Sequence, residues 1–439
     1  MVAIFLSILI IFISIIGFIF SRNTRTRFIW MTNFWWSGLI ILNRIKLSEL
    51  QLEWSLQEQV LVSLVLFIPS VLCNIFISMA PKVKDSFLRQ SLHDYKNNFE
   101  YENRKVVSSC QKILLLGFSI LILDLFLNGV PLFSAGQGEK IVNEVRLAVR
   151  IPVVYSIAHQ LVLVGLIGLA LCKSSGGKKI KIYLLAFFLG YVIHAVLMVS
   201  RGTLSYAVVA IFLSYLFASP SALITKSRKL IIPFVVFMIA FAVAGVLRQS
   251  DPSSQSFSII EYGLFPEWLP NTIAWFYGYV VIGIDNLIMC VRDFNLVGEF
   301  RGKSIQNFSP AFYNMVFLDS TDLKDITLTQ TMPYVGKFNL VTAFGFFAFD
   351  TGWLGVYSFS MFSYLLIPAL FRARLKNMSV LRKIMFIYII MSFLFISVGG
   401  FLFNSRVIGF ILGLLALHLM MKVGGKRYRV TPYTLQKED

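Results

Sequence analysis

Charge is scarce in this chain, and so are the residues that build metal or redox centres. Only 14% of its 439 residues are charged. The four cysteines (Cys73, Cys110, Cys172 and Cys290) are scattered and form no CxxC pair, which argues against a disulfide framework and against a zinc site. The four histidines are equally dispersed. No HExxH, GxSxG, Walker or GxGxxG pattern is present, so no metal and no cofactor is expected. Nothing in the composition reads as a separate soluble domain.

What the chain has instead is apolar length. Hydrophobic residues make up 57% of it, and the mean hydropathy is +0.75. Several stretches approach or exceed the roughly 20 apolar residues that cross a bilayer as a helix. A lipid-exposed backbone must satisfy its hydrogen bonds within each span, so the expectation is an all-α polytopic integral membrane protein. The first apolar stretch, 1–20, lacks a basic leader and a small-residue cleavage site, and reads as a retained helix. Eleven spans fit, within a range of 10–12: near 1–20, 28–42, 60–79, 113–132, 152–172, 182–199, 204–219, 230–247, 341–371, 384–403 and 407–421.

Under this layout the loop charges alternate. The loops at 21–27, 80–112, 173–181, 220–229 and 372–383, with the tail from 422, hold 27 of the 40 Lys and Arg. Positive charge marks the cytoplasm, so the N-terminus starts outside and the C-terminus ends inside. The net charge of +18 is therefore a topology signal rather than a nucleic-acid footprint. On the outer side, 13 basic residues face 14 acidic ones. The stretch 28–42 is short and carries Thr32, Asn33 and Ser37 among Trp30, Trp35 and Trp36. It is the weakest of the spans, and an interfacial helix is the alternative, which leaves ten spans, puts the N-terminus inside and keeps every orientation after residue 60.

Three divisions follow: N-terminal transmembrane helices over 1–247, a large periplasmic loop over 248–340, and C-terminal helices with a basic cytoplasmic tail over 341–439. The loop is no linker. Between Phe257 and Phe317 it holds fourteen aromatic residues, among them Trp268, Trp275, Tyr277 and Tyr279. Its apolar stretch 273–290 is interrupted by Asp285 and Asn286, and reads as a helix on or dipping into the outer leaflet, with a true span as the alternative. Loops this long are more often functional than passive. In the last span, Gly409 and Gly413 form a GxxxG, whose ordinary use is close helix packing.

Arg201, Arg248 and Arg406 fall on the outer side, each at or beside a helix end. One such arginine alone reads as snorkelling to headgroups. Three together, two of them in very short hairpins, suit an anion held at the outer headgroup level, because a guanidinium presents a fork of donors that matches phosphate oxygens. Other polar residues lie in the spans. Asp124 is mid-span, as a functional acid or as the partner of a polar group on another helix. Asp350 precedes the turn-like Gly352-Trp353-Leu354-Gly355. His194 lies seven residues before Arg201, expected two turns away on one helix face. His159 begins the fifth span, where a histidine is usually packing.

These residues resemble a family. Ser200-Arg201-Gly202-Thr203, between two apolar helices, is similar to the Arg-Gly hairpin of the Wzy-type O-antigen and oligosaccharide repeat-unit polymerases. Asn339-Leu340-Val341-Thr342, followed by Phe349-Asp350-Thr351-Gly352-Trp353-Leu354-Gly355, resembles that family's Asn-x-x-Thr and Asp-Phe-Gly-x-x-Gly region. Here Thr351 stands where the family has Phe. The layout agrees too, with basic cytoplasmic loops and one large outer loop before the last three spans.

The resemblance implies a GT-C-like membrane glycosyltransferase of the bacterial inner membrane, active at the periplasmic face in lipopolysaccharide or polysaccharide biosynthesis. It would transfer a growing glycan from undecaprenyl diphosphate to the non-reducing end of a new lipid-linked repeat unit. The implied partners are that lipid-linked oligosaccharide, membrane lipids and a chain-length-regulating co-polymerase; nucleic acid is not among them. The departing diphosphate needs fixed cations aimed at it, the role open to Arg201, Arg248 and Arg406. The acceptor hydroxyl needs a base, from among Asp350, Asp285, Asp251, Glu261, Glu267 and His194, with Asp350 and Asp285 leading. Trp268, Trp275, Tyr277, Tyr279 and Asn339 are the candidates for contact with sugars. Two rival readings remain: a transporter or flippase of lipid-linked glycans, which needs charges along a mid-membrane path, and an O-antigen ligase. The ligase normally shows a histidine in the large outer loop, and 248–340 has none.

The topology is directly testable. A reporter active only in the periplasm should be active when fused after residue 320, and silent when fused after residue 100 or 425. The opposite pattern would put the long loop in the cytoplasm.

Overall fold

The computed structural model describes residues 1–21, 24–47, 51–79, 92–134, 152–172, 178–198, 200–218, 271–304, 342–370, 379–395 and 405–423. They are almost wholly helical, and no strand occurs among them. The helices are α1 (Val2–Phe20), α2 (Thr24–Arg44), α3 (Leu56–Leu64), α4 (Phe67–Met79), α5 (Leu92–Asn128), α6 (Pro152–Cys172), α7 (Lys178–Leu197), α8 (Arg201–Ala218), α9 (Asn271–Val297), α10 (Gly345–Leu370), α11 (Val380–Leu394) and α12 (Ser405–Val423). Among the described residues, five helical stretches are long and apolar enough to cross a membrane: Val2–Phe20, Leu56–Met79, Lys105–Phe133, Val154–Cys172 and Lys179–Leu197. Their outward faces are apolar. Phe5, Phe12 and Ile19 on α1, Leu116 and Leu123 on α5, and Ile182, Leu189 and Ile193 on α7 are all exposed, as lipid-facing side chains are. The chain is thus an all-helical, membrane-embedded protein. The expected span 230–247 lies outside the described residues.

The helices form two packed groups. In one, α5, α7, α8 and α12 surround α6; in the other, α1, α2, α3, α4, α9 and α10 pack together. Helix α11 touches α6, α8 and α12 on one side and α2 on the other. Trp35 Nε1 donates to Leu394 O at 3.0 Å across that second seam.

Helix α6 is buried on every face over 158–172, and glycines let its neighbours close in. A Cβ on Gly168 would stand 2.4 Å from Cys110 Sγ, and one on Gly117 2.8 Å from Val162. Toward α12, a Cβ on Gly413 would stand 3.5 Å from Gln160 O, and Gly409 sits over Ile157 and Gln160. The GxxxG of the last helix is a packing motif here, as its spacing suggested.

Two stretches expected as continuous spans are interrupted. Residues 65–66 form a turn between α3 and α4. Pro69 has no N–H to give to the Val65 carbonyl, and Ser360 Oγ on α10 donates to it instead at 2.7 Å. Tyr357 on the same helix donates to Leu61 O at 2.8 Å. Helix α10 is itself broken at Thr351 and Gly352, the latter at φ 61°, a left-handed conformation that glycine adopts freely. Thr351 Oγ1 donates to Phe347 O at 3.0 Å across the break. A Cβ on Gly352 would meet Phe294 at 2.7 Å, so this glycine also lets α9 lie close.

One expectation needs correction. His194 and Arg201 do not share a helix: α7 ends at Leu197 and α8 begins at Arg201. Ser200 N–H donates back to Ala195 O at 2.8 Å, and this turn redirects the chain.

Overpacking at a close helix contact costs about 1–3 kcal/mol. Gly168→Val should therefore lower the melting temperature of the detergent-purified protein. Gly38→Ala, where nothing lies within 4 Å of the new Cβ, should leave it unchanged or raise it slightly. Equal melting temperatures for the two variants would contradict the packing described for α6.

Candidate functional site

Of the candidate residues, Arg406, Asp350, Asp285, His194 and Tyr277 have described side chains. Arg201, Trp275 and Tyr279 lie in described helices and are placed by their backbone alone. Arg248, Asp251, Glu261, Glu267, Trp268 and Asn339 lie outside the described residues.

Arg406 stands in the first turn of α12, half-buried. Its Nη1 donates to Tyr206 Oη at 2.9 Å, and its guanidinium lies 5.1 Å from the centre of the Tyr206 ring, a cation–π contact. Tyr206 is in the second turn of the helix that Arg201 begins. The starts of two arginine-bearing helices are thus joined through one tyrosine. A helix start also presents unsatisfied N–H groups and the positive end of its dipole. Tyr388 on α11 and Tyr191 on α7 are also close enough to feel the Arg406 charge.

Behind Tyr191 lie two buried imidazoles. His159 Nδ1 and Tyr191 Oη are hydrogen-bonded at 2.8 Å. The His159 ring is 5.2 Å from that of His194 and 4.4 Å from that of Tyr155. Tyr191 stacks against His194 at 6.4 Å with nearly parallel planes. His194 thus joins His159 and Tyr191 by packing between α6 and α7 rather than by sharing a helix face with Arg201, and Tyr191 is the member of that group that feels the Arg406 charge. Tyr155, Tyr191 and Tyr206 were not singled out by sequence. The available signals were spacings, Tyr155 four residues before His159 and Tyr191 three before His194, which stack aromatic rings on one helix face.

The two leading carboxylates lie in the other helix group. Asp285, fully buried on α9, accepts from Asn43 Nδ2 and Trp54 Nε1, each at 2.8 Å. Tyr277 Oη donates to Leu42 O at 2.8 Å and accepts from Leu47 N at 3.4 Å. Arg292 binds both carboxylate oxygens of Glu58, at 2.7 and 2.8 Å. These three anchors span about 22 Å of α9, yet all their partners lie within residues 42–58. Helix α9 thus packs along the segment that joins α2 to α3. Glu58 also closes a capping box with Ser55 at the start of α3, and the Ser-x-x-Glu spacing before an apolar run is the signal that announces it.

Asp350 sits at the α10 break, buried. It accepts from Lys303 N at 2.9 Å, Ser304 N at 2.7 Å and Ser304 Oγ at 2.5 Å. Arg301, itself buried, pairs with Asp293 and lies 4.2 Å from the centre of the Phe349 ring. Burial pulls the Lys303 ammonium below its ordinary value, and the Asp350 charge opposes that shift. Asp350 therefore anchors the chain that leaves α9. Charges in this layer come in opposite pairs: Arg44 and Lys46 with Glu53, Arg292 with Glu58, and Arg301 with Asp293. Asp124, on α5, accepts from Asn128 Nδ2 one turn further on at 2.9 Å.

Set against family models, curated proteins and solved structures, the chain matches none of them.

The Asp285 network predicts a stability cost. Replacing Asp285 by Ala leaves the buried Asn43 amide and Trp54 indole without their acceptor, a loss of about 1–3 kcal/mol for each such donor. The melting temperature of Asp285→Ala should fall clearly, and that of Glu53→Ala, at an exposed carboxylate, should hardly move. An Asp285→Ala protein as stable as wild type would contradict the anchoring role.

Proposed function

We propose that this protein is a membrane glycosyltransferase of GT-C-like architecture with about eleven spans, sited in the bacterial inner membrane. It polymerises lipid-linked oligosaccharide repeat units at the periplasmic face. The growing glycan passes from undecaprenyl diphosphate to the non-reducing end of a new lipid-linked unit. The observation that carries this reading is the meeting of the Arg201 and Arg406 helix starts through Tyr206. Two arginine positions far apart in sequence lie together at one end of the bundle, as a diphosphate leaving group requires. The Arg-Gly and Asp-Thr-Gly-x-x-Gly segments add the family resemblance. Fixed guanidinium groups and helix N–H groups would stabilise charge as the glycosidic carbon–oxygen bond to the diphosphate breaks. The base that takes the acceptor proton is Asp350, Asp285 or His194 among the described candidates, and His194 is the one stacked on Tyr191, which feels the Arg406 charge.

One feature favours a second reading. The break of α10 beside buried Asp350 resembles the discontinuous helices of transporters, so a transporter of lipid-linked glycans is the alternative.

Two measurements separate these readings. Arg201→Ala and Arg406→Ala should abolish polymer ladders while single repeat units persist, and Lys should rescue poorly because a point charge lacks the bidentate fork. Normal ladders in both Ala variants at matched protein levels would refute the assignment. Purified protein in detergent with a chelator, given only lipid-linked repeat units, should make oligomers. A transporter makes none there, and intact protein without chain growth removes the polymerase reading.

A further inference from the structure

The two imidazoles packed on Tyr191 have no part in the reading above beyond His194 as one base candidate. Both are buried, His159 at 9% and His194 at 4% exposure. They come from different helices, α6 and α7, and their rings are 5.2 Å apart. We propose that the Arg406 site binds a diphosphate diester together with a proton, which the His159–His194 pair takes up as the anion arrives. The inference rests on Arg406 holding the diphosphate, and extends it to the imidazoles behind.

An imidazolium near a guanidinium meets like charge at short range in a site of low dielectric. An anion seated at the guanidinium reverses the sign of that interaction. Anion and proton then favour one another, and each must tighten the binding of the other by the same factor. Histidine is the side chain whose protonation falls in the range where such coupling shows near neutral pH.

The groups around the pair are named from each helix that packs there. Helix α6 adds Tyr155, with its ring 4.4 Å from His159. Helix α7 adds Tyr191, hydrogen-bonded to His159 Nδ1 at 2.8 Å. Helix α12 meets α6 at Gly409, against Ile157 and Gln160 and one turn after Arg406, and Arg406, bonded to Tyr206 of α8, acts electrostatically on Tyr191 and on Tyr388 of α11. On α5, Asp124 lies two turns beyond Gly117, which packs on Ala158 and Val162, and its Oδ1 accepts from Asn128. Arg406 is the cation of this set. The Tyr191 hydroxyl, bonded to His159 and within the field of Arg406, links the two sites.

The test uses the full-length protein in detergent and a short-prenyl diphosphate monosaccharide, whose phosphate oxygens stay ionised throughout. Calorimetric titration in two buffers of different ionisation enthalpy counts the protons taken up. Wild type should take up about one proton per diester near neutral pH, and bind about tenfold more tightly near pH 6 than near pH 8. The His159→Gln/His194→Gln protein, checked for an unchanged size-exclusion profile, should bind without proton uptake and with little pH dependence. If that double variant does not fold, the two single variants and the wild-type proton count decide the matter. Wild-type binding without uptake overturns the proposal, as does no binding, or unchanged uptake in a folded double variant. Phosphatidylglycerol in the same micelles is the second arm, and proton uptake with it but not with the diester assigns the site to bulk headgroups and overturns the proposal. Chain growth in detergent without proton uptake ends this inference alone. Proton-linked binding without chain growth ends the polymerase reading and leaves the inference standing.

Discussion

Helix α6 can lie against α5 and α12 only because glycine occupies the points of contact. Between helices in lipid there is no hydrophobic driving force, since a lipid tail is as apolar as leucine. Close van der Waals contact and buried hydrogen bonds must do the work. Gly117, Gly165 and Gly168 bring α5 and α6 together, and Gly409 and Gly413 bring α12 onto α6. With α12 held there, Arg406 at its start reaches Tyr206 on α8. The same arrangement fixes His159, carried by α6, against Tyr191 and His194 of α7. The chemistry-bearing end of this bundle is thus a consequence of packing several turns away.

The two helix groups treat charge differently. In the layer of α9 and the α2–α3 connection, cations face carboxylates, and Asp285 and Asp350 are engaged by indole, amide and backbone N–H donors. Buried ions arranged in this way hold structure, because breaking one partner strands the other. Around Arg406 the described neighbours include the phenols of Tyr206, Tyr388 and Tyr191. A polar residue in an apolar chain is therefore not a site by position alone; its partners decide.

The motif segment shows how one stretch of sequence carries two loads. Gly352 adopts a left-handed conformation and admits Phe294, while a Cβ on Gly355 would stand 2.0 Å from Thr351 Oγ1. Both glycines are explained by the break in α10 without any ligand. Asp350, one residue before that break, spends its oxygens on residues 303 and 304. The Asp-Thr-Gly-x-x-Gly pattern so shapes the path of the large loop out of α9, whatever else it does.

The membrane class and the all-helical architecture were legible in composition and apolar length, because the bilayer permits few other solutions. The helix at 271–297 was legible in its apolar run, and the packing use of Gly409 and Gly413 in their spacing. The breaks at 65–66 and 351–352 were not, since Pro69 depends on Ser360 and Gly352 on Phe294, partners nearly 300 and nearly 60 positions away. Arg406 and His194 stood out as polar residues at apolar helix ends. That Arg406 meets Tyr206, that His194 meets His159 and Tyr191, and that Asp285 and Asp350 are engaged in the other helix group was decided by tertiary structure alone. Local sequence sets which helix a side chain rides on and at what phase. Which neighbour it meets depends on how closely the helices can approach, and that is settled by small residues on elements remote in the chain.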